Sequence, residues 1–389
     1  MKPDFQMYEY EIYLDNAATT ALDPEVVEAM RPYWDEKYGN PETVYRLGRE
    51  SAKAVEDARA SISEILKCDP EEIFFTSGGT EANNWAIKGI DTGEMAVGAT
   101  EHASVLEPAR WKIHNPEEDA LYEIPVDEYG IVDLDRFDSN KTSSLLSLVS
   151  VQYANNEIGT IQPVAKIAEW CKKKGAVFHC DAVQAFGKVD FDVDDVGCDM
   201  MSLSAHKIHG PMGIGALYIR KSIQNQMEPL LHGGGQERGL RSGTLAVPEI
   251  VGFAKAAELA HNAIPKEMKR LMSISEWLAG SLCGSFKAKR NGHPTQRLPN
   301  IINVTIPNVE TEVICGIMCT QYGTCLSAGS ACSTSKRESH VLKAIGHKSG
   351  DMLSTLRISL SRYNSDSDIR LAFARLQTAM EDAKKRSLI

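Results

Sequence analysis

From Ile73 to Ile219 the chain repeats one pattern: a short apolar run, a polar turn, then a stretch with helical spacing. Ile73-Phe-Phe-Thr76 leads through Ser77-Gly-Gly79 into a helix over 80–87, and the run 95–100 ends at Glu101-His102. The run 144–153 ends at Asn155-Asn156. Residues 164–174 form an amphipathic helix stopped by three lysines and Gly175, and Ala176-Val-Phe-His-Cys180 runs into Asp181. Met201, Leu203 and Ala205 alternate with Ser202 and Ser204, the period of a strand, and His206-Lys207 follow. Repetition of this kind implies an α/β fold whose mainly parallel sheet is covered on both faces. Such sheets bind ligands at the carboxyl ends of their strands. Thr80, His102, Asn156, Asp181 and Lys207 each come just after an apolar run, so one sheet edge can gather all five.

Beyond about Gly252 the texture changes to helices over 253–263 and 265–282, short strands near 300–305, 324–327 and 356–360, and a closing amphipathic helix over 366–387. A length of 389 residues is too great for one compact core. The expected division is a large domain over 13–258 and a smaller α+β domain made of 1–12 with 259–389.

The balance of 42 basic against 53 acidic residues gives a net charge of −11, which argues against direct nucleic-acid binding. No apolar run reaches membrane-span length, and Met1-Lys-Pro-Asp-Phe5 has no signal-peptide hydrophobic region, so a cytoplasmic protein without a membrane partner is expected. The nine cysteines include no Cys-x-x-Cys pair. No structural metal site is expected in the isolated chain, and most of the cysteines are expected to be reduced thiols buried in the core.

Lys207 precedes Gly210, Pro211, Gly213 and Gly215 and a second strand at 216–219. A lysine held in that tight connection can lose solvation and attack a carbonyl as an amine; a surface hairpin lysine is the plainer alternative. Ser77-Gly-Gly79-Thr80 offers backbone N–H groups and a helix dipole to a phosphate, or merely caps a helix. Asp181 suits a helix N-cap or the protonated nitrogen of a pyridine ring. His102 suits a satisfied core position, stacking on a flat ring, or proton transfer. Lysine, aspartate, phosphate cradle and histidine at one sheet edge form the kit for pyridoxal 5′-phosphate (PLP).

Seven motifs then carry a resemblance. Thr76-Ser-Gly-Gly-Thr-Glu-Ala-Asn-Asn84, Thr100-Glu-His102, Asn155-Asn-Glu-Ile-Gly159, His179-Cys-Asp-Ala-Val-Gln184, Ser204-Ala-His-Lys207, the stretch 232–244 and Gly329-Ser-Ala-Cys332 occur in order. Together they resemble the cysteine desulfurases of the NifS/IscS type, over about residues 13–362. The resemblance implies the aminotransferase-like fold of PLP enzymes (fold type I) and a homodimer. It implies that Lys207 holds PLP covalently and moves the substrate Cα proton, that Asp181 pairs with the ring nitrogen, and that Gln184 and Asn156 face the phenolic oxygen. His102 would stack on the ring and handle a proton. Gly79, Thr80, Ser204 and His206 would bind the phosphate, joined by Thr244 of the other subunit. Arg357 would clamp the substrate carboxylate, with Asn40 and Asn156 nearby.

Cys332 would be the nucleophile that takes sulfur from L-cysteine, leaving alanine and an enzyme persulfide for an iron–sulfur scaffold or another acceptor. Its segment 327–336 has almost nothing apolar to bury, and its flanking glycines suit a loop of the long-loop class. Met212 stands where many members carry lysine. Rival expectations are another fold type I enzyme, such as an aminotransferase or selenocysteine lyase, and a non-catalytic sulfur-carrier subunit.

Overall fold

The computed structural model describes residues 11–91, 93–113, 120–139, 146–328 and 338–385. Its centre is a seven-stranded sheet: β1 (Ile73–Thr76), β2 (Glu94–Gly98), β3 (Ala120–Ile124), β4 (Leu148–Ser150), β5 (Val177–Asp181), β6 (Met200–Ser204) and β7 (Gly215–Ile219). The spatial order is β1-β7-β6-β5-β4-β2-β3. From β6 through to β3 every neighbour is parallel. Only β7 is reversed, pairing antiparallel with both β1 and β6. The sheet is therefore mainly parallel, as the alternating pattern implies.

Strands β1, β6 and β7 are buried at every residue. The alternation of Met201 and Leu203 with Ser202 and Ser204 thus marks no wet face. Ser202 is fully buried, and its hydroxyl meets His179 Nε2 at 2.9 Å, while Ser150 Oγ meets His179 Nδ1 at 2.8 Å. One imidazole links three adjacent strands, so each buried polar atom keeps a partner.

Around the sheet run α1 (Arg46–Leu66), α2 (Gly79–Gly89), α3 (Ala103–Lys112) and α4 (Val164–Lys174). Three lysines and a left-handed Gly175 end α4; the Gly175 N–H satisfies the Cys171 and Lys172 carbonyls. Upstream, Pro24–Met30 and Pro32–Asp35 are two separate helical pieces, because Pro32 has no N–H to continue the ladder.

A single helix, α5 (Val247–Phe286), replaces the two expected over 253–263 and 265–282. Its 40 residues span about 60 Å. Pro265 lies inside it and costs about 3 kcal/mol in lost hydrogen bonding and crowding. Burial on both sides outweighs that cost. Ile250, Phe253 and Ala257 pack into the core beneath the large sheet, and Ile274, Leu278 and Leu282 pack into a second core. Fully burying apolar side chains of this size stabilises by about 1.5–3 kcal/mol each.

The second core lies on an antiparallel sheet of β8 (Lys289–Arg290), β9 (Ile301–Thr305), β10 (Ser327–Ala328) and β11 (Thr355–Ser359), in the order β10-β11-β9-β8. Helices α6 (Thr311–Tyr322) and α8 (Asp366–Lys385) cover it, with a short α7 (His340–Ala344) between them in sequence. Ile12 and Tyr13 pair in parallel with Thr324 and Cys325, which ties the N-terminal segment to this part.

Among the described cysteines only Cys171, Cys180 and Cys198 are buried and Cys319 is exposed on α6, so the expectation that most of them are buried does not hold there. No helix among the described residues is long and apolar enough to cross a membrane.

Candidate active site

The carboxyl ends of the parallel strands open into a cavity of about 510 Å³. Gly79, Thr80, His102, Asn156, Asp181, Gln184, Ser204, His206 and Lys207 all line it. That volume is within the range of small-molecule sites.

The tight turn into α2 forms one wall. Gly78 has φ +148°, a conformation open only to glycine, and it hands the chain to α2 with backbone N–H groups unpaired in the first turn. A Cβ on Gly215 would sit 2.5 Å from the Leu203 carbonyl oxygen and 2.8 Å from Gly78, so β7 must be bare where it passes this turn. Glu81, in the first turn of α2, accepts from Ser77 N at 2.8 Å and from Arg241 at 2.7 and 3.0 Å. The helix N-terminus keeps its attraction for an anion beside that neutralised carboxylate.

The floor is a hydrogen-bonded chain. Asn83 Nδ2 donates to Asp181 Oδ2 at 2.7 Å and to Ser104 Oγ at 2.8 Å. His102 Nδ1 accepts from Ser104 N at 3.1 Å and lies 2.7 Å from Ser104 Oγ. His102 is thus the N-cap of α3, and its proton sits on Nε2 of a neutral ring. Burial pushes His102 below its ordinary value; Asp181 opposes this, and Lys207 and His340 add to it. Asp181 Oδ1 accepts from Val183 N at 2.9 Å, so the carboxylate caps its own turn and also faces the cavity.

Lys207 sits in a single 3₁₀ turn, Ala205–Lys207, at the end of β6. Its Nζ donates to the Ala17 and Ala18 carbonyls at 2.7 and 2.6 Å. His206 Nδ1 meets Thr19 Oγ1 at 3.1 Å, and burial followed by the charges of Lys207 and Lys188 brings this imidazole down to about 4.

Arg357 does not line the cavity. It lies 1% exposed behind Asn156, whose carbonyl accepts from its Nη1 at 3.1 Å, while Nη2 pairs with Asp15 Oδ1 at 2.8 Å. Its Nε is buried without a partner. Asn40 and Thr244 are exposed and outside the cavity of this single chain. Cys332 falls outside the described residues. Downstream of it, His340 Nε2 meets the Glu101 carbonyl at 2.8 Å and Ser339 Oγ donates to Glu157 at 2.6 Å. Met212 lines the cavity while remaining 66% exposed.

Asn83, Ser104, Glu101 and Asp15 went unread in the sequence. A signal existed for two of them: Asn83 is one helical turn beyond Gly79, and Ser104 follows His102 at capping distance. Glu101 is fully buried, accepts from Gln152 N at 2.7 Å, and is raised well above the usual carboxylate range by burial, with Asp181 adding to that.

The donor set fits PLP. A helix N-terminus with Ser204 and His206 suits its phosphate, the Asp181 carboxylate suits its pyridine N–H, and Lys207 suits its aldehyde. Asn83 Oδ1, buried and without a partner in the cavity wall, is one more polar atom awaiting a ligand.

The model of the aminotransferase class-V family matches residues 12–371. The cysteine desulfurase IscS of Methanosarcina thermophila is 44% identical over 92% of this chain and 89% of its own. The mitochondrial cysteine desulfurase of Saccharomyces cerevisiae is 39% identical over 92% of this chain and 72% of its own. Among solved structures, a NifS-like protein superimposes with a TM-score of 0.88 at 35% identity, covering 96% of this chain and all of that one. A protein solved as SspA in complex with cysteine has a TM-score of 0.79 at 33% identity, covering 91% of this chain and all of that one. The fold, the cavity at the carboxyl edge of the sheet and these likenesses agree that the chain belongs to the class-V aminotransferase family, on its cysteine desulfurase branch.

Proposed function

We propose that this chain removes sulfur from L-cysteine, releasing alanine and passing the sulfur through Cys332 to an acceptor such as an iron–sulfur scaffold. The observation that carries the reading is the meeting of Lys207, Asp181, His102 and the Ser77–Thr80 turn around one cavity. PLP, when bound there, supplies an electron sink for the substrate Cα. The chain's own groups do the rest.

Asp181, held by Asn83 and Val183 N, keeps a carboxylate in place to retain a proton on a ring nitrogen. Lys207 Nζ is the base for the Cα proton. His102, neutral with its proton on Nε2, can give that proton to a departing group and recover it from water. The planar fork of Arg357 suits a carboxylate; sitting behind Asn156 with Nη2 paired to Asp15, it would reach a substrate only by giving up that ion pair. Asp15 is the resident counter-ion it shares until then. The thiol of Cys332 would take up the sulfur.

The reading includes a cytoplasmic homodimer in which Thr244 completes the partner's phosphate site. The division between a cavity-bearing part over 13–258 and a remainder of 1–12 with 259–389 is proposed with it. The change from the first core to the second along α5, between Ala260 and Leu271, supports such a division.

The test is amino-acid analysis of L-cysteine incubations with the PLP-loaded protein and a reductant. Alanine and sulfide should form in equal amounts, and the protein should show a visible absorption band. Lys207→Ala should lose both the band and turnover, by at least about 10³-fold in rate. Near-normal alanine production by that variant would sink the assignment.

A further inference from the structure

Lys207 lines two cavities. The second, about 60 Å³, lies on its far side and is also lined by Lys188, Thr20, His209, Glu267 and Arg362. Gln184 belongs to the wall of the larger cavity and Lys188 to the wall of the smaller. Lys188 Nζ donates to the Gln184 backbone carbonyl at 3.0 Å and to its side-chain Oε1 at 3.4 Å. Gln184 Nε2 donates to the Ala17 carbonyl at 3.0 Å, and that oxygen also accepts from Lys207 Nζ at 2.7 Å. Because a carbonyl only accepts, the Ala17 contact fixes which end of the amide faces which way. Lys188, Gln184, Ala17 and Lys207 thus form one continuous chain.

We propose that Lys188 is a positioning residue for Lys207: it holds Gln184 by its side-chain oxygen and so steadies the carbonyl that Gln184 and Lys207 share. Lys188 does not line the cavity that would take the cofactor, so it acts only through its neighbours.

Of the groups facing it, Lys207, His206 and His209 come from the connection after β6; burial first, with the Lys188 charge among the further causes, brings both imidazoles down to about 4, so they are neutral near pH 7. Arg362 lines the same cavity but is paired with Asp23 at 2.6 Å. The acid there, Glu267 on α5, is paired with Arg270 at 2.8 Å. On its own segment Asp190 is exposed. Burial, and then the charge of Lys207, brings the Lys188 amine down to about 7. The Lys207 charge thus bears on Lys188, while the Lys188 amine, charged or neutral, keeps hydrogens to donate to Gln184.

This inference rests on the reading of Lys207 as the reacting amine, but its test uses cofactor-free protein. The labelling rate of Lys207 by a trace of acetic anhydride is followed against pH by peptide mass spectrometry. Lys188→Met should raise the plateau rate of Lys207 labelling at high pH by about threefold, as the amine leaves a loosened Ala17 carbonyl, and Lys188→Arg, which keeps donors to Gln184, should hold it near the unmodified rate. An unchanged plateau rate in Lys188→Met overturns the proposal. Should that variant fail to fold, Gln184→Ala takes its place: it breaks the same chain at its middle, so the same rise is expected, and an unchanged rate overturns the proposal. A folded chain that takes up no PLP would count against the functional reading alone, because the labelling measures Lys207 without it.

Discussion

Asn83 and Asp181 meet at 2.7 Å across the floor of the cavity, and the same amide nitrogen also holds Ser104 Oγ at 2.8 Å. Both N–H groups of Asn83 are therefore committed, one to the carboxylate and one to the hydroxyl that touches His102. The amide cannot be reversed without turning an oxygen toward Asp181. A helix residue that touches neither sheet strand covalently thus orients both the aspartate and the histidine of the site.

Replacing Asn83 removes a charge-assisted hydrogen bond from Asp181 and the shared support of Ser104. Hydrogen bonds to charged groups contribute about 1.5–3 kcal/mol, so Asn83→Ala should lower kcat for L-cysteine by about 10- to 100-fold. Steady-state alanine production measures this, with PLP content checked in parallel. An unaltered kcat would mean that Asp181 does not depend on Asn83.

The fold and the site were legible to different degrees. The strand–turn–helix repeat gave the parallel sheet, because a strand buried on both faces must be apolar and its ligand-binding end must be polar. The edge strand Ala120–Ile124 was missed; Ala120, Leu121 and Tyr122 are only partly buried and Glu123 is exposed, which blurs the signal. Pro265 suggested a break in α5, since the two separate cores that hold the helix together lie far apart in sequence from it. Lys207, Asp181 and His102 stood out as polar residues at strand ends. Asn83, Asp15 and Lys188 did not, since their roles come from contacts that only the folded chain creates: Asp15 meets Arg357 across 342 positions.

Thr244 is exposed and outside the cavity of a single chain, consistent with a role only in an assembled pair. Thr244→Ala should weaken PLP retention by about tenfold, the effect of losing one hydrogen bond to a charged group. Sedimentation together with PLP dissociation rates checks this. A monomer that retains PLP as tightly as the unmodified protein would contradict the shared site.

Acid should destabilise the fold through its buried histidines. Burial alone brings His179 from an ordinary 6.5 to about 3, and burial is the first cause for His206 and His209 near 4. Below about pH 6.5 the unfolded chain binds protons that the folded chain refuses, so stability is lost as pH falls toward 3. For fully buried His179 the loss reaches the order of several kcal/mol. The urea midpoint should fall between pH 7.5 and 5, and less steeply in His179→Gln. Equal slopes in the two proteins would show that His179 is not held neutral.

The central claim is that sulfur leaves L-cysteine by attack of a protein thiol, using a site anchored by Lys207 and Asp181. The most direct test counts alanine formed per chain by Cys332→Ser, loaded with PLP, in excess L-cysteine and reductant. The unmodified protein should turn over many times and carry one extra reducible sulfur on Cys332 by mass spectrometry. Cys332→Ser should bind PLP normally, change its absorption on adding cysteine, and then release at most about one alanine per chain, a loss of at least about 100-fold in turnover. Sustained alanine production near the unmodified rate would mean direct elimination of sulfur, and the account of Cys332 would be wrong.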